Sequence, residues 1–312
     1  MSIGSKGENL VFLISQPRAG STLLQTILGN HPEIHTLPEP CIALPALYTD
    51  YNRKIVKGEY KAEYDVWWAA DGIRDFVKNL PNKDEDYFEG MRRMFVYLYG
   101  QAMHGTGKRY FLDKCPRYYH ILPELQRVFP KAVFIFLMRN PLAVLNSAMS
   151  VCNDKKASMG LFKHDLLVAP RKMLEGMKSF GDRCIIIKYE DLLTNPDNEI
   201  GRICLELDIK FDPTMAQYKF KEEHKNSFGY CLQPERYKHG RLDVENVDRW
   251  AADLEDPQRW RMMNDYLNYL GKGTVEAMGY SFEQLKASLF RKKSPAIRLI
   301  MTAPLLRLLK NT

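Results

Sequence analysis

The stretch that most constrains the fold lies near the amino terminus, where an apolar strand runs through a tight loop into a helix. Residues Leu10 to Ile14 are continuously apolar, as in a strand buried on both faces of a parallel sheet. In the loop that follows, Gln16-Pro-Arg-Ala-Gly-Ser-Thr22, Gly20 allows a tight turn, and Ser21 or Thr22 is expected to cap the helix. Because such a loop directs backbone N–H groups and a helix dipole at one point, it predicts a phosphate site.

This loop differs from the common nucleotide-binding glycine motifs. The P-loop, Gly-x-x-x-x-Gly-Lys-Ser/Thr, requires a leading glycine and a lysine that are both missing here. The cation of the loop is Arg18, early in the turn, and the Gly-x-Gly-x-x-Gly pattern of dinucleotide-binding folds is absent. The residues therefore favour a phosphate or phosphosulfate site with an arginine over phosphoryl transfer with magnesium.

The loop resembles that of a known family, the sulfotransferases that use 3′-phosphoadenosine 5′-phosphosulfate (PAPS). Pro17-Arg-Ala-Gly-Ser-Thr-Leu-Leu24 is similar to the family's 5′-phosphosulfate loop, in the form typical of tyrosylprotein sulfotransferases and bacterial relatives. The resemblance implies Arg18 as a catalytic residue. It also implies that six loop residues bind the donor: Pro17, Arg18, Ala19, Gly20, Ser21 and Thr22.

A proline-flanked glutamate follows the first predicted helix. In His31-Pro-Glu-Ile-His-Thr-Leu-Pro-Glu-Pro40, the prolines on both sides of Glu39 restrict the backbone. A similar segment of the tyrosylprotein enzymes leads to a glutamate regarded as the catalytic base, so the resemblance implies Glu39 as general base. The alternative is a solvated loop glutamate. The next candidates for the base would then be the histidines His31, His35 and His104.

Arg109-Tyr-Phe-Leu-Asp-Lys-Cys-Pro116 predicts a second buried strand, with Lys114 at its carboxyl end. Open α/β sheets bind ligands at that edge. The segment is similar to a short Asn/Asp-Lys-x-Pro element of the family, which implies that Lys114 and Arg18 share the negative charge on the leaving phosphate. A lysine in a surface ion pair is the alternative.

Two further strands end in residues that fit the family. Ala132 to Met138 predicts a strand followed by Arg139, and Ser147 lies eight residues later on a helix expected to start at Pro141. In the family this arginine and serine bind the 3′-phosphate, and an arginine fork suits phosphate oxygens. Arg183-Cys-Ile-Ile-Ile-Lys-Tyr-Glu-Asp-Leu-Leu193 predicts the fourth strand, and its Tyr-Glu-Asp-Leu resembles a family hallmark in which the tyrosine, here Tyr189, contacts the nucleotide.

Four strands separated by helical connections predict an α/β fold, with a central parallel sheet flanked by helices. The resemblance implies the P-loop NTPase-like sulfotransferase fold. With 312 residues, of which 45% are hydrophobic, the chain is expected to form a single domain over residues 1–312. A helical insertion is predicted at about 41–105 and a basic tail at about 283–312.

Composition limits the remaining classes. The formal charge of +7 is compatible with a polyanionic cofactor, with nucleic acid and with a membrane surface, and it is too small to decide among them; no nucleic-acid partner is expected. The six cysteines are scattered without a Cys-x-x-Cys pair, so reduced thiols and no metal site are expected. The sequence contains no signal-like segment, membrane-length apolar stretch or glycosylation sequon, and a cytoplasmic location is expected.

The sequence thus predicts a PAPS-dependent sulfotransferase that releases adenosine 3′,5′-bisphosphate (PAP) and requires no metal. The predicted acceptor is a hydroxyl of a small molecule or carrier-bound substrate, with protein-tyrosine or amine sulfation as alternatives. Two other classes stay open: a nucleotide kinase or NTPase with a degenerate P-loop, and a non-catalytic nucleotide-binding module. Lys238 and Arg241 are candidates for closing over the nucleotide, and the basic tail is compatible with a membrane contact.

Overall fold

A computed structural model of the chain describes residues 3–48, 71–153, 159–217 and 242–291. The described residues form one five-stranded parallel sheet in the order β2-β3-β1-β4-β5. The strands are β1 (Leu10–Ser15), β2 (Ile34–Thr36), β3 (Tyr110–Lys114), β4 (Val133–Met138) and β5 (Cys184–Lys188). The predicted α/β fold with a central parallel sheet is confirmed, and the four predicted strands are all present.

The fifth strand, β2, was not predicted. It has only three residues and lies between two prolines, so its sequence carries no measurable period-2 pattern. It forms because it pairs with β3 in register, Ile34 opposite Tyr110 and Thr36 opposite Leu112. Tertiary pairing therefore turns a segment that was interpreted only as a restricted loop into the edge of the sheet.

Helices cover both faces of the sheet. They are α1 (Ser21–Gly29), α2 (Ala43–Tyr48), α3 (Asp84–Met103), α4 (Leu122–Val128), α5 (Pro141–Asn153), α6 (Lys163–Leu167), α7 (Ala169–Phe180), α8 (Tyr189–Thr194), α9 (Pro196–Glu206), α10 (Arg249–Ala252), α11 (Pro257–Ala277) and α12 (Phe282–Arg291). Residues 71–78 are also helical. Helices are thus present in the described parts of the segment predicted as a helical insertion.

The apolar run of β1 is buried on both faces because consecutive side chains alternate across the sheet. Phe12 and Ile14 pack into a cluster with the aromatic residues of α3, including Tyr99. Val11 and Leu13 pack into a second cluster, with α1, α8 and α9. The central strand is therefore completely enclosed, as its continuous apolar sequence predicts.

A third apolar cluster joins the carboxyl-terminal helices to α5. Trp250, Met263 and Tyr266 pack there against Leu142 and Leu145 of α5. Gly271 has a φ of 72°, which places a kink inside α11. In the part of the chain that the structure describes, every helix is too short or too polar to cross a bilayer.

The parallel arrangement brings the carboxyl ends of the strands to one edge of the sheet. Arg18 follows β1, Lys114 is the last residue of β3, Arg139 follows β4 and Tyr189 follows β5. Glu39 lies three residues after β2. This edge therefore carries all the elements from which a site can be built.

Candidate active site

The loop after β1 enters α1 through a glycine. Gly20 occupies the N-cap position at a φ of 99°, and no side chain caps the helix. The prediction that Ser21 or Thr22 caps α1 is therefore wrong. A Cβ atom at position 20 would overlap the ring of Tyr189, so glycine is required for both the turn and the close packing. The uncapped first turn of a helix is a ready anion site.

Arg18 connects the loop to the end of β4. Its Nε donates to the hydroxyl of Ser147 over 3.2 Å, and its own carbonyl accepts from Nη1 of Arg139 over 2.9 Å. Arg18 adopts a left-handed backbone with a φ of 73°, which is uncommon for a residue with a side chain. Three residues predicted for two different phosphate groups thus meet through direct hydrogen bonds.

The guanidinium of Arg139 is held by an aromatic ring and is left with a spare donor. It lies over the ring of Tyr189, with 4.1 Å between its central carbon and the ring centroid. Its Nε is buried and has no hydrogen-bond partner among the described residues. A buried donor without an acceptor is costly in a protein interior, and an anionic ligand would satisfy it.

Glu39 and Lys114 form an ion pair at the other end of the site. The Lys114 side chain is 1% exposed and that of Glu39 is 18% exposed, and the ammonium also contacts the hydroxyl of Thr22 over 3.3 Å. The alternatives of a surface ion pair for Lys114 and a solvated loop position for Glu39 are therefore wrong. Glu39 has a φ of 37° and is, after Arg18, the second non-glycine residue of the site with a left-handed backbone.

A glutamine of α1 holds the segment that leads to Glu39. Gln25 is buried, and its Nε2 donates to the hydroxyl of Thr36 and to the carbonyl of Leu37, each over 2.8 Å. The Thr36 hydroxyl donates in turn to the carbonyl of Leu112 in β3. This network ties the end of β2 to α1 and β3, and it fixes where the chain approaches Lys114.

The histidines named as alternative bases lie in other surroundings. Both ring nitrogens of His31 are used, since Nδ1 accepts from the backbone N–H of Glu33 and Nε2 pairs with the carbonyl of Lys210. His35 packs edge-on against Phe111, and His104 is exposed at the end of α3. A His31 ring that holds two backbone groups is a structural element, which leaves Glu39 as the better candidate for the base.

Asp113, which precedes Lys114 in β3, has buried partners that the sequence did not predict. The Asp113 carboxylate is completely buried in the apolar cluster that contains Tyr99 and Tyr118, and the hydroxyls of both tyrosines donate to its Oδ2. Burial raises its pKa to about 6, although the two tyrosines and Lys114 partly counter this effect. Its other oxygen has no partner among the described residues.

The described cysteines Cys41, Cys115, Cys152, Cys184 and Cys204 are free. The Cys115 thiol lies against that of Cys41, and this contact together with burial raises the pKa of Cys115. In the described residues, no three His, Cys, Asp or Glu side chains form a group that could hold a metal ion.

Residues 11–213 match the model described as the sulfotransferase family, about two thirds of the chain. The chain belongs to the sulfotransferase family. The predicted family and enzyme class are thereby confirmed, and the alternative of a nucleotide kinase or a non-catalytic module is not favoured.

Curated relatives agree with this family. The sulfotransferase is 26% identical over 297 residues to nodulation protein NoeE of Sinorhizobium fredii, covering 87% of this chain and 66% of that protein. It is 26% identical over 222 residues to a putative protein-tyrosine sulfotransferase of Caenorhabditis briggsae, covering 69% of this chain and 70% of the relative. The chain thus spans about two thirds of the length of these relatives.

Solved structures with the same fold are also sulfotransferases. A sulfotransferase domain from the curacin biosynthetic pathway superimposes with a TM-score of 0.52 at 21% identity, covering 77% of this chain and 89% of that domain. The sulfotransferase domain of the Synechococcus PCC 7002 olefin synthase gives a TM-score of 0.52 at 24% identity, covering 77% and 86%. These matches confirm the predicted sulfotransferase fold.

The structure brings most of the predicted site residues into two groups of contacts, and both groups include residues of the loop 16–22. In one group, Arg18 contacts Ser147 and Arg139, and the ring of Tyr189 lies against Arg139 and close to Gly20. In the other group, Lys114 contacts Glu39 and Thr22. Pro17, Ala19 and Ser21 belong to the same loop, and the roles of all these residues stay predictions. Lys238, Arg241 and residues 292–312 of the basic tail lie outside the described residues.

Proposed function

We propose that this sulfotransferase moves the sulfuryl group of PAPS to a hydroxyl acceptor and releases PAP, with Glu39 as general base. The observation that carries the proposal is the hydrogen-bonded position of Arg18 between Ser147 and Arg139. It supports one continuous binding site for a donor with two separate phosphate groups. The Glu39–Lys114 ion pair lies against Thr22 at the start of α1, next to this loop.

The residues present fit the donor. The uncapped start of α1 and Arg18 would hold the 5′-phosphosulfate, because backbone N–H groups and the helix dipole attract anions. Arg139 and Ser147 would hold the 3′-phosphate, to which the buried Nε of Arg139 has a free hydrogen bond to give. Tyr189 would contact the nucleotide, since its ring lies against Arg139 and close to Gly20 of the loop.

When bound, PAPS supplies an electrophilic sulfuryl group attached to a phosphate leaving group. Glu39 accepts the proton of the acceptor hydroxyl, which raises the nucleophilicity of the oxygen. Once Glu39 holds that proton, Lys114 has lost its counter-charge, and its ammonium would be available to the negative charge that the donor develops. Arg18 and the N–H groups of the loop would stabilise the same charge, so the Glu39–Lys114 ion pair would couple proton transfer to charge stabilisation.

The acceptor that we propose is the hydroxyl of a small molecule or of a carrier-bound substrate. A peptide tyrosine is the second candidate, favoured by the relatives named protein-tyrosine sulfotransferases. Both acceptors present a hydroxyl to Glu39, so the proposed chemistry is shared and only the recognition differs. An amine acceptor would require the same base, because an ammonium must lose a proton before it attacks.

The test is an acceptor screen with PAPS labelled in the sulfuryl group, run with small-molecule alcohols and phenols, carrier-bound hydroxyls and tyrosine peptides in parallel. We expect label transfer to one hydroxyl class, with stoichiometric PAP release that depends on the acceptor and persists in EDTA. Nucleotide titration provides the control, with PAP expected to bind without magnesium and more tightly than ATP. A preference for magnesium and ATP, or absence of PAP binding, would contradict the proposal.

A further inference from the structure

The first two residues of α8 contact Arg139 and the residue that follows it. The ring of Tyr189 lies against the guanidinium, at 4.1 Å from its central carbon. The next residue, Glu190, accepts a hydrogen bond on Oε1 from the backbone N–H of Asn140 over 3.0 Å. Because Asn140 directly follows Arg139, Glu190 orients the peptide group that carries the arginine, while Tyr189 orients its charged end.

Glu190 is itself held by a residue from the carboxyl-terminal helices. The hydroxyl of Tyr280, in the turn between α11 and α12, donates to Oε2 of Glu190 over 2.7 Å. Tyr280 is partly buried and packs against two of the three apolar clusters. Burial and the Glu190 carboxylate raise the pKa of Tyr280 well above its ordinary value, so its hydroxyl stays protonated and remains a donor.

A second contact docks the same turn on the end of the sheet. The ammonium of Lys188 donates to the carbonyl of Gly279 over 2.7 Å and lies 5.4 Å from the centroid of the Tyr280 ring. Gly279 has a φ of 87°, in the left-handed region that favours glycine. The turn is therefore placed by packing and by two hydrogen bonds to nearby residues of one strand end.

We infer that Tyr280, acting through Glu190, is a positioning residue that sets Arg139 for the 3′-phosphate of the donor. This inference rests on the proposed function, since it concerns the same donor site. Gly279 and Tyr280 lie beyond residues 11–213, which match the family model. Selectivity for a 3′-phosphorylated nucleotide thus depends on a carboxyl-terminal turn as well as on the loops of the sheet.

The experiment measures the dissociation constants of PAP and of adenosine 5′-monophosphate (AMP), which lacks the 3′-phosphate, by isothermal titration. We expect Tyr280→Phe to weaken PAP binding roughly tenfold, the size of one lost hydrogen bond to a charged group, while AMP binding stays unchanged. Glu190→Gln should reduce the ratio of AMP to PAP dissociation constants by a similar factor. The variant that combines both changes should bind PAP no more weakly than the single variant with the lower PAP affinity, because Tyr280 and Glu190 act through one chain of contacts.

Tyr269→Phe is the matched control, because Tyr269 lies on α11 and its hydroxyl donates to the carbonyl of Leu167 in α6 and not to Glu190. This control should keep the wild-type ratio. The inference would be overturned if Tyr280→Phe kept the wild-type ratio of AMP to PAP dissociation constants. An equal loss of PAP and AMP affinity would also overturn it, since that result indicates a general disturbance of the nucleotide site. If wild-type protein binds PAP no better than AMP, the proposed 3′-phosphate site fails, and the inference fails with it.

Discussion

The two ends of the site are built differently. At the arginine end, formed by Arg18, Arg139, Ser147 and Tyr189, the cations are held by a carbonyl, a hydroxyl and an aromatic ring. At the ion-pair end, formed by Thr22, Glu39 and Lys114, the cation is held by a carboxylate. Neutral partners leave the charge of Arg139 available to an anionic ligand. Glu39 balances the charge of Lys114 and, in the proposed mechanism, stops doing so when it accepts the proton of the acceptor hydroxyl. The first arrangement suits binding and the second suits turnover.

The largest expected effect is at the ion-pair end. Glu39→Gln should lower turnover by about 10²–10⁴-fold, because it removes the positioned base. Its PAP affinity should be equal to or tighter than that of wild type, since Lys114 loses its counter-charge. Steady-state kinetics and PAP titration measure the two quantities.

Glu33→Gln is the control for this experiment, because it changes a part-exposed glutamate in the same segment. The control should keep both turnover and PAP affinity. Full activity in Glu39→Gln would remove the assignment of the base. If Glu39→Gln lowered PAP affinity and kept normal turnover, the ion-pair end would serve binding and not turnover, the opposite of the prediction.

The second prediction concerns the stability of the protein as the pH changes, through Asp113, the residue that precedes Lys114 in β3. Burial raises the pKa of Asp113 from 3.8 to about 6, so the folded state favours the protonated carboxyl. The contribution of the protonated Asp113 carboxyl to the free energy of unfolding is fully present below about pH 4. About 3 kcal/mol of it is lost in total as the pH rises through 6. The free energy of unfolding of the wild type should therefore fall in this window relative to that of Asp113→Asn, as measured by denaturant titration.

Asp182→Asn, at an exposed position, is the control and should follow the wild-type pH profile. If Asp113→Asn and wild type show the same slope between pH 4 and 6, the carboxyl does not titrate in this range. Lys114 would then hold Asp113 ionised more effectively than the buried geometry indicates.

The smallest expected effect is at the arginine end. Arg139→Ala should weaken PAP binding by roughly 10–100-fold, as expected for lost hydrogen bonds to a charged group, while turnover at saturating donor stays close to that of wild type. Arg139→Lys keeps the charge and loses the fork, so its affinity should lie between the two. Titration with PAP and kinetics at saturating donor separate binding from turnover. If Arg139→Ala lost as much turnover as Glu39→Gln, the arginine end would contribute to turnover as well as to binding, contrary to the prediction.

Local sequence was sufficient for four of the five strands and for the positions of most candidate site residues. The apolar runs of β1, β3, β4 and β5 are long enough to identify buried strands, and parallel strands bring their carboxyl ends to one edge. The positions of Arg18, Lys114 and Arg139 at strand ends follow from that rule alone. Motif resemblance then supplied the expected role of each residue.

Other features depended on contacts between distant segments. The strand β2 exists because Ile34 to Thr36 pair with β3, and Glu39 reaches Lys114 because Gln25 holds the end of that strand. The environment of Asp113 requires two tyrosines, one from a helix that precedes it in the chain and one that follows it. Neither arrangement leaves a periodic pattern in the sequence.

By itself, the sequence determined the central parallel sheet, the phosphate-type loop and the residues that the strand ends present, because these depend on short apolar runs and on local turn chemistry. Only the tertiary structure decided that Arg18 bridges Ser147 and Arg139, that Glu39 is paired with Lys114, and that Tyr280 reaches Glu190. These contacts join residues as many as 129 positions apart in the sequence. Long-range packing, which no local pattern encodes, is the physical reason that they could not be foreseen.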